Sequence, residues 1–277
     1  MILFLFNTSL MAQKVSLEGC IQDGEDYKGK NLVDKKCFEL IFNHAPEKSR
    51  DEITDVKGKK FKVTALKNLL YIQIEGLDKI QKQNLISGEK SGLHEILSVS
   101  LSPYSNMVAV LNKNNLGRQE IRVFDRSMSG NVVPSHYFDM DEIQTASAIF
   151  YHSDNKEIWF TRGDGIVSAV HSEADSRMPH KKPAILVSLN FKDITGKQPL
   201  TLAFVKKHLL VLSADGNNLY AFQEPLEKKT QADQNFAIPS SAPKELNTLR
   251  YIKSKDLILL LNNESEILEI PFKLNIE

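Results

Sequence analysis

The sequence predicts an all-β fold, and three observations support this prediction. Short runs of strand-forming residues alternate with turn residues, as in SLSPYSNMVAVL (100–111), where Ser-Pro and Asn separate two apolar runs. Proline fixes φ and cannot continue a strand ladder, so such a pattern favours a tight turn between two strands. Helical periodicity is weak along the chain. Hairpins of this kind also recur at a nearly constant interval.

Five predicted hairpins are spaced at this nearly constant interval. Their turns are centred on Asn68, Asn114, Gly163, Gly216 and Asn263, which are 46, 49, 53 and 47 residues apart. Candidate inner strands precede four of the hairpins (EILSVSLS, QTASAIFY, QPLTLAFV and ELNTLRYI), and candidate outer strands follow (VVPSHYF, AILVSLNF, NFAI and FKLNI). A repeat of this length matches the four-stranded blade of a β-propeller. We therefore predict a β-propeller of about five four-stranded blades, or of six if residues 14–50 add a degenerate blade.

The first thirteen residues, MILFLFNTSLMAQ, differ from the rest of the chain. The apolar run Ile2–Phe6 is followed by small and polar residues around Ala12, which is typical of a secretory signal peptide. The basic residues that usually open such a signal are missing, and a start codon placed too far downstream would account for this. A buried first strand is the alternative. The run is too short to cross a membrane, which takes about 20 apolar residues.

The two cysteines of the chain, Cys20 and Cys37, lie just past this leader and are 17 residues apart. In an oxidising compartment they could close a small loop, which would contribute ~3 kcal/mol in the chain-entropy model. Two unrelated thiols are the alternative. LEGC (17–20) loosely resembles a lipoprotein cleavage box, but Glu18 is unusual in such a box. The leader and the cysteines together predict a periplasmic or secreted protein with a Cys20–Cys37 disulfide.

The predicted organisation has three parts. Residues 1–13 are a signal peptide, residues 14–50 an N-terminal segment that carries the disulfide, and residues 51–277 the propeller. Within the middle part, CFELIFN (37–43) is either a strand that closes the ring against the last blade or part of a degenerate sixth blade. Closure matters because an open array would leave a long unpaired strand edge.

One blade resembles a known repeat. Ile96, Val99 and Leu101 precede Ser102-Pro103, and MVAVLN and IRVFD follow. This pattern resembles a tryptophan-aspartate (WD) repeat, with Phe124-Asp125 where that family has its Trp-Asp pair. The turns are equally similar to those of TolB-like periplasmic propellers. Either resemblance implies a β-propeller, and the WD family implies a non-catalytic interaction platform.

Charge and motifs exclude several classes of function. Lys plus Arg and Asp plus Glu both total 35, so there is no excess positive charge to hold a nucleic acid backbone. No Gly-x-Ser-x-Gly elbow is present, and Gly163-Asp164-Gly165 lies between two strands, where a hairpin turn is expected rather than a phosphate loop. The lone Trp159 is expected in the core. No cofactor is predicted.

The loop HSEADSRMPHKKP (171–183) is the richest in polar residues. Its imidazole and carboxylate groups could gather around a metal ion. A solvated loop between two strands has the same composition, so we predict no metal site there. The four residues concerned are His171, Glu173, Asp175 and His180.

Two classes of function remain. The first is an exported, non-enzymatic propeller that acts as a protein–protein interaction platform and binds a protein or a cell-envelope component. The second is a propeller hydrolase, lactonase-like or glycan-active, with a metal ion in the central channel. The missing motifs favour the first class, and metal content of the purified protein would distinguish them.

The positions at which the inner strands begin predict a candidate binding site. Inner strands begin at the rim of the central channel, so equivalent positions form a ring at its mouth. Carboxylates and amides in such a ring could accept a Lys or Arg side chain or a weakly held cation. Strand ends that are polar only because they meet water are the alternative. The predicted ring consists of Glu95, Gln144, Gln198 and Glu245, with Arg50 at the corresponding place in the first blade and with Glu52, Asp141 and Glu142 close by.

Overall fold

A computed structural model describes residues 35–55, 57–75, 81–139, 145–152, 156–178, 185–252, 255–262 and 267–271. It confirms the all-β propeller, because the described strands form five antiparallel sheets in chain order. Four sheets have four strands, and the fifth has three within the described residues. The predicted signal peptide, Cys20 and the predicted outer strand FKLNI (272–276) lie outside the described residues.

Each sheet is one blade, and its strands run in sequence order from the inner to the outer edge. Blades 1 and 2 consist of β1 (Arg50–Thr54), β2 (Lys60–Leu66), β3 (Leu69–Glu75), β4 (Gln81–Ile86), β5 (Glu95–Leu101), β6 (Met107–Lys113), β7 (Gln119–Asp125) and β8 (His136–Asp139). Blade 3 consists of β9 (Ile149–His152), β10 (Glu157–Thr161), β11 (Val167–His171) and β12 (Ile185–Leu189). Blades 4 and 5 consist of β13 (Pro199–Val205), β14 (His208–Ser213), β15 (Asn218–Gln223), β16 (Gln234–Ala237), β17 (Thr248–Ile252), β18 (Leu257–Leu261) and β19 (Ile267–Pro271).

The predicted hairpin turns join the second and third strands of the blades. Gly163 and Gly165 lie between β10 and β11, so this segment is a hairpin turn, as predicted. Gly216 has a φ of +69° between β14 and β15, a conformation that glycine adopts without steric cost. Asp125 ends β7, where the third strand of the blade was expected to end. Asn263 lies outside the described residues.

Two elements differ from the sequence-based expectation. The outer strand of blade 1, β4, was not predicted, because QKQNLI lacks the alternation of a half-buried strand. The segment CFELIFN lies in a helix, α1 (Lys35–His44), and not in a closing strand. In α1 the apolar residues Cys37, Phe38, Ile41 and Phe42 share one face and are buried against blade 1. A second short helix, α2 (Phe191–Thr195), precedes blade 4.

Apolar clusters join consecutive blades at four interfaces. One cluster joins blades 1 and 2, a second joins blades 2 and 3, a third joins blades 3 and 4, and a fourth joins blades 4 and 5. Trp159 is 2% exposed in the third cluster, which confirms its expected place in the core. Face-to-face packing between blades therefore supplies the main core of this fold.

The helix α1 occupies the remaining face of blade 1. On β2 and β3, Val63 and Ile72 point to blade 2, whereas Leu66 and Tyr71 pack with α1 on the opposite face. In a closed ring, that opposite face is the one that looks towards blade 5. None of the described helices is long and apolar enough to cross a membrane.

Candidate functional site: the central channel

The inner strands β1, β5, β9, β13 and β17 surround the centre of the propeller, and neighbouring inner strands lie in contact from β1 to β17. Each inner strand ends the order of its sheet, so one of its edges pairs with no described strand of its own blade. Unpaired edge groups need other hydrogen-bond partners if they are buried. Polar side chains from the adjacent blade supply such partners at several places.

Blade 1 supplies one of these partners to blade 2. The carboxylate of Asp51 accepts a hydrogen bond from the Leu101 amide at 2.7 Å, across the two inner strands. A second amide, of Glu52, also donates to this carboxylate at 2.8 Å. Burial raises the pKa of Asp51, whereas these hydrogen bonds and the nearby charge of Arg250 act in the opposite direction. The Asp51 side chain therefore links blades 1 and 2, although partial burial is unfavourable for its charged carboxylate.

Hydroxyl groups continue the pattern in the next two blades. Ser98 and Ser100 of blade 2 accept hydrogen bonds from the amides of Ile149 and Tyr151, at 3.4 Å and 3.0 Å. Ser147, just before β9, donates to the Leu200 carbonyl of blade 4 at 2.5 Å. The small side chains suit this role, because they reach a neighbouring strand edge without filling the channel.

Glu47, Arg50 and Arg250 form a charged cluster where blades 5 and 1 meet, which we call the Glu47–arginine cluster. Glu47 lies in a 3-10 turn (Glu47–Ser49) that begins after Pro46, and its side chain is 1% exposed. Its carboxylate forms an ion pair with Arg50 and another with Arg250, the latter at 2.9 Å. Arg250 also donates to the Arg50 carbonyl at 3.4 Å. Two arginines thus share one buried carboxylate between the first and last inner strands.

The members of the predicted ring have different surroundings. Glu95 begins β5, is exposed, and forms an ion pair with Lys113 of its own blade at 3.7 Å. Gln198 lies just before β13, and its carbonyl accepts from the Ala214 amide at 2.7 Å. Glu245 is exposed three residues before β17 and has a φ of +58°. Gln144, Asp141 and Glu142 lie outside the described residues, so the ring as a whole stays a prediction.

The expected equivalence between Arg50 and Glu95 is wrong. Glu95 pairs with Lys113, the last residue of β6, whereas Arg50 pairs with Thr64, which is not the last residue of β2. Arg50 therefore lies further along the channel than Glu95. The alignment failed because β1 is shorter than β5, and the 3-10 turn takes the place of its first residues.

Asp175 and Arg177 of the polar loop after β11 form contacts within the fold. The Asp175 carboxylate accepts two hydrogen bonds from the Arg177 guanidinium, at 2.8 Å and 2.5 Å, which hold the pKa of Asp175 below its usual range. Arg177 also donates to the carbonyls of Pro134 and Ser135, so the loop docks on blade 2. His180 lies outside the described residues, and no group of three metal-ligating side chains gathers within the part of the chain that the structure describes.

A further buried carboxylate, that of Glu120, lies on β7 inside blade 2. It is 1% exposed and accepts hydrogen bonds from the Arg122 Nε at 2.5 Å and the Asn112 amide at 2.6 Å. The Arg122 guanidinium stacks over the Tyr137 ring at 4.9 Å, and burial is the main reason that the pKa of Tyr137 is raised. This network stabilises the interior of blade 2, away from the channel.

The cross-blade contacts of the channel are scaffold contacts, because their polar groups are engaged with backbone or with one another. Sequence reasoning missed Glu47 and Arg250, which lie about 200 residues apart. The only sequence signal was an arginine within an inner-strand pattern, in ELNTLRYI.

Comparison with known proteins does not assign the chain to a family. No model of a known protein family matches the chain, and no curated protein matches it either. The similarity to WD and TolB-like propellers therefore remains a resemblance, and the architecture that the structure shows is that of a five-bladed propeller.

Proposed function

We propose that this protein is an exported, non-enzymatic β-propeller that acts as a protein–protein interaction platform. The observation that carries this proposal is the use of the channel's polar side chains: Asp51, Ser98, Ser100 and Ser147 hold neighbouring inner strands together. A scaffold fixed in this way presents its strand ends and loops to solvent in constant positions. Binding residues are commonly found on loops that a rigid scaffold positions.

The proposed contact surface is the face on which the inner strands begin. Glu95 and Glu245 are both exposed on that side of the propeller. With Gln144 and Gln198 they would offer acceptors to a basic side chain of a protein or cell-envelope component. No cofactor is needed for this role. The resemblance of blade 2 to a WD repeat is consistent with an interaction platform.

The double variant Glu95→Lys/Glu245→Lys tests this surface. We expect it to weaken capture of the native partner, with a loss that grows as ionic strength falls, because like charges then repel over longer distances. Thermal stability should change by less than about 1 kcal/mol, since the Glu95–Lys113 pair is exposed. The measurement is quantitative co-purification from the cell envelope at two salt concentrations.

A matched control carries the same charge change on the opposite face. Glu173 and Glu227 are exposed on loops that follow third strands, and Glu173 also pairs with a lysine, Lys156, at 3.6 Å. Glu173→Lys/Glu227→Lys should leave partner capture unchanged. Equal capture by both double variants and the unaltered protein would place the interface elsewhere.

Export carries its own prediction, a disulfide between Cys20 and Cys37. Cys37 is 7% exposed on α1, so a thiol there would react slowly in the folded protein. Protein taken from its native compartment should therefore be unfolded without reductant and then alkylated. Mass spectrometry should find no label until a reductant is added. Two labelled cysteines before reduction would contradict both the disulfide and much of the argument for export.

A further inference from the structure

The interface between blades 5 and 1 differs from the other four. Each of the other interfaces has an apolar cluster with residues from both blades. Within the described residues, no such cluster contains residues of both blade 5 and blade 1. The apolar residues on the free face of blade 1 pack with α1 instead. Among the described residues, this interface therefore shows no apolar cluster of the kind that joins the other blades.

The facing side of blade 5 is only partly covered. Arg250 of β17 pairs with Leu259 of β18, and Leu259 pairs with Glu269 of β19, so the three side chains share one face. Ile267, on the same face, is 50% exposed, and Glu269 is exposed. Within the described residues, the contact of blade 5 with blade 1 is thus concentrated at the inner strand, near Arg250.

The Glu47–arginine cluster provides that contact. Glu47 is 1% exposed between Arg50 of blade 1 and Arg250 of blade 5, and the Arg250 side chain is 29% exposed. Arg50 also donates to the Phe42 carbonyl of α1 at 2.7 Å and stacks on the Phe42 ring at 5.4 Å. The cluster therefore connects blade 5, blade 1 and the helix at one point.

We infer that the propeller opens and closes at the interface between blades 5 and 1, with the Glu47–arginine cluster as the latch. Apolar packing spread over a whole blade face is lost only when much of the fold unfolds, whereas a single buried ion cluster can separate locally. Proteins open in cooperative units whose free energies differ widely within one structure. Opening here would separate blade 5 from blade 1 and leave the series of blades 1–5 packed through the four apolar clusters.

Hydrogen exchange of the full-length protein tests this inference. In the unaltered protein, the amides of β18 should exchange faster than those of β14, although both are second strands of their blades. Arg250→Met should speed exchange in β17, β18 and α1 by roughly a hundredfold, because it removes the ion pair with Glu47 and the hydrogen bond to the Arg50 carbonyl that join blade 5 to blade 1. Exchange in blades 2 and 3 should stay within a factor of about three.

The matched control is Arg122→Met, which removes an arginine from an equally buried carboxylate, Glu120, inside blade 2. It should speed exchange near blades 1 and 2 and leave the ratio of β18 to β14 exchange unchanged. Equal acceleration of all blades by Arg250→Met, or equal exchange of β18 and β14 in the unaltered protein, would overturn the latch. If Arg250→Met does not fold, Glu47→Gln is the second variant, because it keeps the shape of the side chain and removes its charge. Exchange should then be faster in β17, β18 and α1 only. Absence of this local pattern would overturn the latch.

Discussion

Replacing Trp159 with alanine is expected to destabilise the protein by about 3–5 kcal/mol, the range for loss of a large buried aromatic side chain. Trp159 is 2% exposed between blades 3 and 4, and its ring centroid lies 5.2 Å from that of Phe204. Its indole Nε1 also donates to Glu157 at 2.8 Å. The substitution would leave a cavity between two blades that cannot collapse without moving whole sheets.

Chemical denaturation with urea measures this effect through the midpoint and the slope of the transition. Tyr104→Ala is the control, because Tyr104 is 62% exposed, and it should change the free energy of unfolding by less than about 0.5 kcal/mol. A loss below about 1 kcal/mol for Trp159→Ala would show that blades 3 and 4 do not pack through this residue.

Arg122→Met should have an effect of similar size. Breaking a buried ion pair by removing one partner typically costs about 3–5 kcal/mol, because the remaining charge stays buried without compensation. Here the remaining charge is Glu120, and the Ser91 carbonyl also loses its bond from Arg122, which is 2.9 Å long. The free energy of unfolding should fall accordingly in urea.

The double variant Glu120→Gln/Arg122→Met separates the cost of the uncompensated charge from the worth of the pair. It should recover much of the lost stability, because the amide that replaces Glu120 can still bond to Asn112. No recovery would mean that Arg122 stabilises the blade chiefly through its contact with the Tyr137 ring and the Ser91 carbonyl.

The sequence by itself determined the blades. The left-handed turn at Gly216, the apolar runs on either side of it and the nearly constant interval are all local signals, and the structure confirms the propeller that they predict. The alternation of Trp159 into a strand likewise sufficed to place it in the core. β4 was missed because its polar sequence, QKQNLI, carries no such signal, and its pairing with β3 makes it a strand.

Only the tertiary structure decided how the ring closes and which charges meet. The ten-residue segment Lys35–His44 has little helical stability alone. It forms α1 because blade 1 offers an apolar surface to the face that contains Phe38 and Ile41. Glu47 and Arg250 come together because the last inner strand returns to the first, a contact that no local pattern records. The sequence also does not decide which side chains form the predicted binding ring. Strand register, not spacing along the chain, sets the height of each side chain in the channel.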